Sequence, residues 1–168
     1  IAVALAGNDG TAEVYVLERE GIEEGDQVLD NSFKIYRKKN EEELLRSVFS
    51  RILDYPILLT YNGDDFGLKY LANRAKKKNI SQEEIPITLA KLFAHLKHGV
   101  HIDLYRTFIN RSIQIYAFGN KYSEHTLNAI SQSLINESKV KFEGSLNDLS
   151  YNELARYCYN DALITFRL

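Results

Sequence analysis

An α/β domain, a mixed β-sheet flanked by α-helices, is the fold this chain of 168 residues predicts, and three observations carry that prediction. The first is Ile57-Leu58-Leu59-Thr60-Tyr61, a short apolar run without polar alternation, which reads as a strand covered on both faces in a parallel or mixed sheet. The second is the order strand, turn, helix that follows it, through Asn62-Gly63-Asp64-Asp65 into Leu68, Leu71, Ala72 and Ala75 at helical spacing. The third is a pair of helix starts written in capping chemistry, Asn40 with Glu43 and Ser150 with Glu153.

Taken in order, residues 1–6 and 12–17 read as two strands around Gly7-Asn8-Asp9-Gly10, a hairpin signal. Residues 33–36 suggest a third strand. After Asn40, the residues Leu44, Leu45, Val48, Phe49, Ile52 and Leu53 recur on one helical face, and Pro56 marks the stop. A second helix over 66–78 closes in Lys76-Lys77-Lys78, favourable at a helix C-terminus. Residues 80–99 carry no decisive period, and 100–104 look extended. Ser123 reads as the start of a helix with Leu127, Ile130 and Leu134, and Ser150 opens a last helix that runs to Leu168.

Composition excludes several classes. Apolar residues make 45% and charged residues 26%, the balance of a globular chain rather than a disordered or collagen-like one. No apolar stretch approaches the ~20 residues that span a bilayer, so no membrane partner is expected. With 21 Lys and Arg against 23 Asp and Glu, the domain lacks the overall charge of an autonomous nucleic-acid binder, so any such contact must be local. The single cysteine, Cys158, rules out an internal disulfide and disfavours zinc. The apolar opening and the end at Leu168, inside a helical pattern, read as a piece of a longer protein.

Two clusters have the right residues for chemistry. On a helical wheel, Leu154, Tyr157, Cys158, Asp161, Ile164, Thr165 and Leu168 share one side, which puts a carboxylate on a buried stripe. Burying it alone costs several kcal/mol, so it needs a cation across the core, a strong donor or a metal. The other cluster, residues 61–66, sits where a strand hands over to a helix, the usual ligand position in α/β sheets. Its acids serve either as helix-start charges or as oxygen ligands for a divalent cation. His98, His101 and Asp103 are interrupted by Gly99 and favour packing over metal binding. No Walker loop, Gly-x-Gly-x-x-Gly or Gly-x-Ser-x-Gly is present.

Three segments in one order, residues 59–66 (Leu-Thr-Tyr-Asn-Gly-Asp-Asp-Phe), 101–105 (His-Ile-Asp-Leu-Tyr) and 157–161 (Tyr-Cys-Tyr-Asn-Asp), resemble the 3'-5' proofreading exonuclease domain of archaeal-type family B DNA polymerases. The likeness extends over nearly all of residues 1–168, read as one exonuclease-like domain. It implies a ribonuclease H-like fold, here truncated at the first strand, with four carboxylates holding two Mg²⁺ or Mn²⁺ ions that activate water and stabilise the leaving 3' oxygen. In the third motif, Tyr157 is implied to orient the water and Asp161 to bind metal. In the second, Asn62 and Phe66 are implied to contact the single-stranded 3' primer end, Phe66 by packing on a base. Thr126 and Leu127, in Thr126-Leu127-Asn128-Ala129-Ile130, are implied to help hold that end. Partners are thus DNA and the remaining polymerase domains, in a cytoplasm.

Two departures qualify the likeness. The family's opening Asp-x-Glu motif lies on a strand before residues 1–6 and is absent from this chain, and Gly67 stands where the second motif has its acid. Of the four acids only Asp161 remains, and Asp64 is not an obvious substitute. The expectation is an exonuclease domain inactive as this chain stands. A competing reading keeps the fold as a non-catalytic domain that binds single-stranded DNA or braces the polymerase. A third class is a protein-interaction domain that never meets DNA.

Overall fold

The computed structural model describes residues 1–23, 25, 32–142 and 144–168. Three strands open the chain: β1 (Ala2–Ala6), β2 (Ala12–Leu17) and β3 (Lys34–Lys38). β1 and β2 pair antiparallel, with Ala2 opposite Val16 and Ala6 opposite Ala12, as the turn chemistry predicts. β3 joins β2 in parallel, so the sheet is mixed in the order β1-β2-β3.

Helix α1 (Glu41–Leu53) starts where Asn40 accepts the Glu43 amide at 2.9 Å. β4 (Ile57–Thr60) leads through a π-helical turn, Gly63–Gly67, into α2 (Leu68–Lys77). Residues 80–99, undecided in sequence, contain a hairpin of β5 (Ile87–Leu89) and β6 (Ala94–Leu96). β7 (Val100–Asp103) then pairs in parallel with β4, Ile57 opposite Val100 and Thr60 opposite Asp103. It runs directly into the short helix α3 (Leu104–Phe108).

α4 (Leu127–Ile135) begins four residues later than Ser123, with Thr126 as its cap. Tyr122 is buried in an aromatic cluster with its hydroxyl donating to the Phe108 carbonyl at 3.0 Å, and the chain enters α4 only at Thr126, whose extended backbone and capping hydroxyl set the start. α5 (Tyr151–Arg167) starts on a complete capping box of Ser150 and Glu153. No described helix is long and apolar enough to cross a membrane.

β2 shows how the layers are divided. Tyr15 faces one core with Leu44, Leu45, Val48 and Phe49 of α1, Leu71 and Ala72 of α2, and Ile85 and Ile87. Val14 and Val16, one residue either side, face Tyr151 and Ala155 of α5. The period of two along a strand thus places helices on both faces.

One expectation needs correction. The mixed sheet is not continuous: β1-β2-β3 and β4-β7 are separate, and no ladder joins β1 to β4 among the described residues. Between these two edges runs a groove of about 660 Å³, floored by Tyr157, Cys158, Asp161 and Thr165 of α5. Among the described residues β4 is thus paired along one edge only, and Ile57 at its start is 56% exposed.

Core burial in α1 predicts unequal costs along the helix. Leu45→Ala, at a fully buried position, should lose ~2–5 kcal/mol in urea unfolding. Leu53→Ala, half exposed at the helix end, should lose under ~0.5 kcal/mol. Equal losses would contradict the packing described.

Candidate nucleic-acid site and third-motif carboxylate

The loop after β4 is shaped by one buried carboxylate. Asp103, 6% exposed, accepts from the backbone amides of Asn62 at 2.7 Å, Asp64 at 3.0 Å and Tyr105 at 3.1 Å. The parallel register that sets Thr60 opposite Asp103 places the acid there. Asn62 bends the chain with a left-handed backbone (φ 63°), a conformation Asn adopts more readily than most residues. Gly63 follows because a Cβ there would collide with the Thr60 side chain.

This geometry parts the acids of the loop. Asp64 turns inward, where it accepts the Ala94 amide at 2.7 Å and lies 3.5 Å from both His101 Nδ1 and Arg106 Nε. His101 is itself used up, with Nδ1 2.7 Å from the Ala94 carbonyl and Nε2 2.8 Å from Thr60 Oγ1. Asp65 faces outward and pairs with Arg106 at 2.8 Å. Asp64 is therefore committed to holding the β5-β6 hairpin. Phe66 is 69% exposed and lies parallel to Tyr70, ring centres 6.2 Å apart. Gly67 has an ordinary right-handed helical backbone, and a Cβ there would meet no atom within 4 Å.

Asp161 stands on α5 at the groove floor, as the wheel predicts, and its countercharge is Lys139. The ammonium lies 2.7 Å from Oδ2 and 5.2 Å from the Tyr157 ring centre. Asn160 fixes that approach by accepting the Val140 amide at 3.0 Å. Oδ1 is buried without a hydrogen-bond partner among the described residues. Burial raises the Asp161 carboxyl above the usual carboxylate range, and Lys139 only partly restores it. Burial opposes the Lys139 charge too, but the bonds to Asp161 and Tyr157 prevail and hold its pKa above the usual lysine value. The Cys158 thiol is pushed up to about 11 by burial and the neighbouring Asp161 charge, so it is an inert neighbour at neutral pH.

Lys139 escaped the sequence reading. Its only signal was the requirement that a carboxylate on an apolar stripe have a partner, which named no residue. Of the six residues the motifs single out, Tyr157, Asp161 and Leu127 line the groove; Asn62, Phe66 and Thr126 lie outside it. Thr126 spends its hydroxyl as the α4 cap, accepting the Ala129 amide at 3.2 Å.

Two divalent ions need several oxygen ligands, and the residues present do not fit them. Asp161 shares one oxygen with an ammonium, Asp64 and Asp103 are turned onto backbone amides, and position 67 is glycine. Among the described residues no group of three His, Cys, Asp or Glu side chains converges.

Removing the ammonium should move Asp161 further. In Lys139→Met the Asp161 carboxyl should titrate at higher pH, read by carboxyl carbon NMR. A raised native pKa stabilises the fold below the ordinary carboxylate value, and that contribution disappears as pH climbs through the native pKa. The variant should thus lose more stability between pH 4 and pH 7 than the unaltered chain, and an unshifted carboxyl would remove Lys139 from the role of countercharge.

Comparison with known proteins agrees with the motifs. The family profile for the DNA polymerase family B exonuclease domain matches residues 14–130. The whole chain is 44% identical to part of DNA polymerase 1 of Sulfurisphaera ohwakuensis and covers 19% of that protein. It is likewise 44% identical to DNA polymerase 1 of Saccharolobus solfataricus, again over the whole chain and 19% of the relative. DNA polymerase 1 of Aeropyrum pernix matches the whole chain at 33% identity, over 18% of its own length. The chain thus spans under a fifth of these relatives. With a profile match over most of its length and identity over its whole length to these relatives, the chain belongs to the exonuclease domains of archaeal-type family B DNA polymerases.

Proposed function

We propose that these residues form a single-strand-binding exonuclease domain of a DNA-directed DNA polymerase, and that the 168-residue chain does not itself hydrolyse DNA. One observation carries the second half: the sole acid left at the site, Asp161, is neutralised by Lys139 rather than joined by further carboxylates. The first half rests on Phe66, an exposed ring at the turn into α2, suited to stacking on an unpaired base. Asn62 begins the same turn with a left-handed backbone (φ 63°). The two Mg²⁺ or Mn²⁺ ions implied by the family need ligands these residues lack.

A second reading is favoured by the groove. Its walls are the free edges of β1 and β4, and the orphaned Oδ1 of Asp161 lies on the residue at its floor. An extended segment between those edges would join both sheets into one, ordered β3-β2-β1, the added strand, β4-β7. That supports a ribonuclease H-like sheet truncated at its first strand, where the family's Asp-x-Glu motif belongs. In a longer chain, that strand would bring acids to Asp161. Gly67 would still leave the site short of one.

The experiment is degradation of a 5'-labelled single strand with Mg²⁺ or Mn²⁺, by this chain and by the longer polymerase chain, each with Gly67→Asp and Asp161→Ala. The 168-residue chain should be inactive in every form. In the longer chain, Gly67→Asp should raise the rate by at least about tenfold, since its side chain enters open space and supplies a missing ligand. A longer chain that is fast with Gly67 and unaffected by Asp161→Ala would overturn the reading.

Strand binding is checked separately. Phe66→Ala should weaken single-stranded DNA affinity about tenfold at fixed salt, with little change in stability because the ring is exposed. Binding that is steeply salt-dependent yet indifferent to Phe66 would point to phosphate contacts elsewhere.

A further inference from the structure

Tyr61 joins two parts of the site that are far apart in sequence. Its hydroxyl donates to the His125 carbonyl at 2.6 Å, immediately before Thr126 and Leu127. Its own backbone leads into Asn62, whose amide is fixed on Asp103. The ring packs edge-on to Tyr105 (5.9 Å) and near-parallel to Phe108 (6.4 Å), and it lines the groove together with Leu127. Burial, with the nearby Asp103 and tyrosines, pushes its phenol well above the ordinary range, so the donor proton is present at every pH where the fold is studied.

We propose that Tyr61 is a positioning residue for the DNA 3' end: its hydroxyl locks the Thr126–Leu127 element to the Asn62–Phe66 loop, so that the two surfaces implied to grip the strand keep a fixed spacing. The inference rests on the strand-binding reading above. Among the described residues no other hydrogen bond joins these two segments directly; Thr126 turns its hydroxyl into α4, and Asn62 and Phe66 bond within their own loop or to Asp103. Without the phenol oxygen, the ring packing stays but the His125 carbonyl loses its donor and the approach of Leu127 to the groove is no longer tied to the loop.

Tyr61→Phe deletes that one oxygen. Tyr122→Phe is the control, because it removes a hydroxyl from the same aromatic cluster that bonds Phe108 and not His125. In the full polymerase chain, both are titrated with a single strand carrying 2-aminopurine either at the 3' terminus or well inside. Tyr61→Phe should bind about fivefold more weakly, the effect of one lost hydrogen bond. It should also lower the terminal probe's fluorescence at saturation while the internal probe is unchanged. Tyr122→Phe should lower thermal stability and leave the terminal signal intact. In the Tyr61→Phe background, Leu127→Ala should weaken binding less than it does alone, because the two act through one element.

Tyr61→Phe with unaltered affinity and terminal signal would overturn the proposal, as would the same loss of terminal signal in Tyr122→Phe, which would mark a general loosening of the cluster. Failure of the unaltered chain to bind the strand would instead overturn the strand-binding reading, and the proposal with it.

Discussion

Three backbone amides converge on Asp103, and much of the site hangs from that convergence. The carboxylate ends a strand, caps a helix and fixes the first residues of a loop that arrives from the neighbouring parallel strand. A buried charge of this kind is tolerable only when its lone pairs are filled, and here backbone donors fill them. Because the loop is nailed at Asn62 and Asp64, Asp64 points inward, Phe66 points outward, and Gly67 enters α2 with open space around it. An acid in a familiar motif is thus shown to be architectural by where its oxygens go.

Asp161 presents the opposite case. Its neighbours are apolar or weakly polar, one of its oxygens has no donor among the described residues, and its charge is balanced by a single lysine from the loop before α5. Burial alone would favour the protonated acid, and the ammonium at 2.7 Å is what makes an ionised form tenable. A carboxylate supported so thinly is poorly explained as structural. Its Oδ1 lies on the side of α5 that faces the groove residues and has no donor among the described residues.

The groove also explains the odd exposure of β4. A strand built from Ile57, Leu58 and Leu59 has the composition of a central strand, yet among the described residues it pairs on one edge only. The same holds for β1, whose alanines leave room beside it. Unpaired apolar edges that face each other across a cleft are a liability for an isolated domain, since any extended chain can pair with them. Within a longer chain that liability is removed if the cleft is filled.

Local signals in the sequence determined most elements: the β1-β2 turn, the Asn40 and Ser150 helix starts, the period of α1, the strand-turn-helix around Asn62, and the stripe that carries Asp161. Each depends on residues a few positions apart, so backbone geometry and side-chain chemistry suffice to read it. The motifs added the family and the order of its site. Only the tertiary structure decided that Asp64 is spent on the β5-β6 hairpin, that Lys139 balances Asp161, that Tyr61 reaches the His125 carbonyl, and that the sheet is split by a groove. Those facts are meetings between distant segments, and a hydrogen bond or ion pair leaves no mark on sequence spacing when its partners are brought together by the packing of other elements.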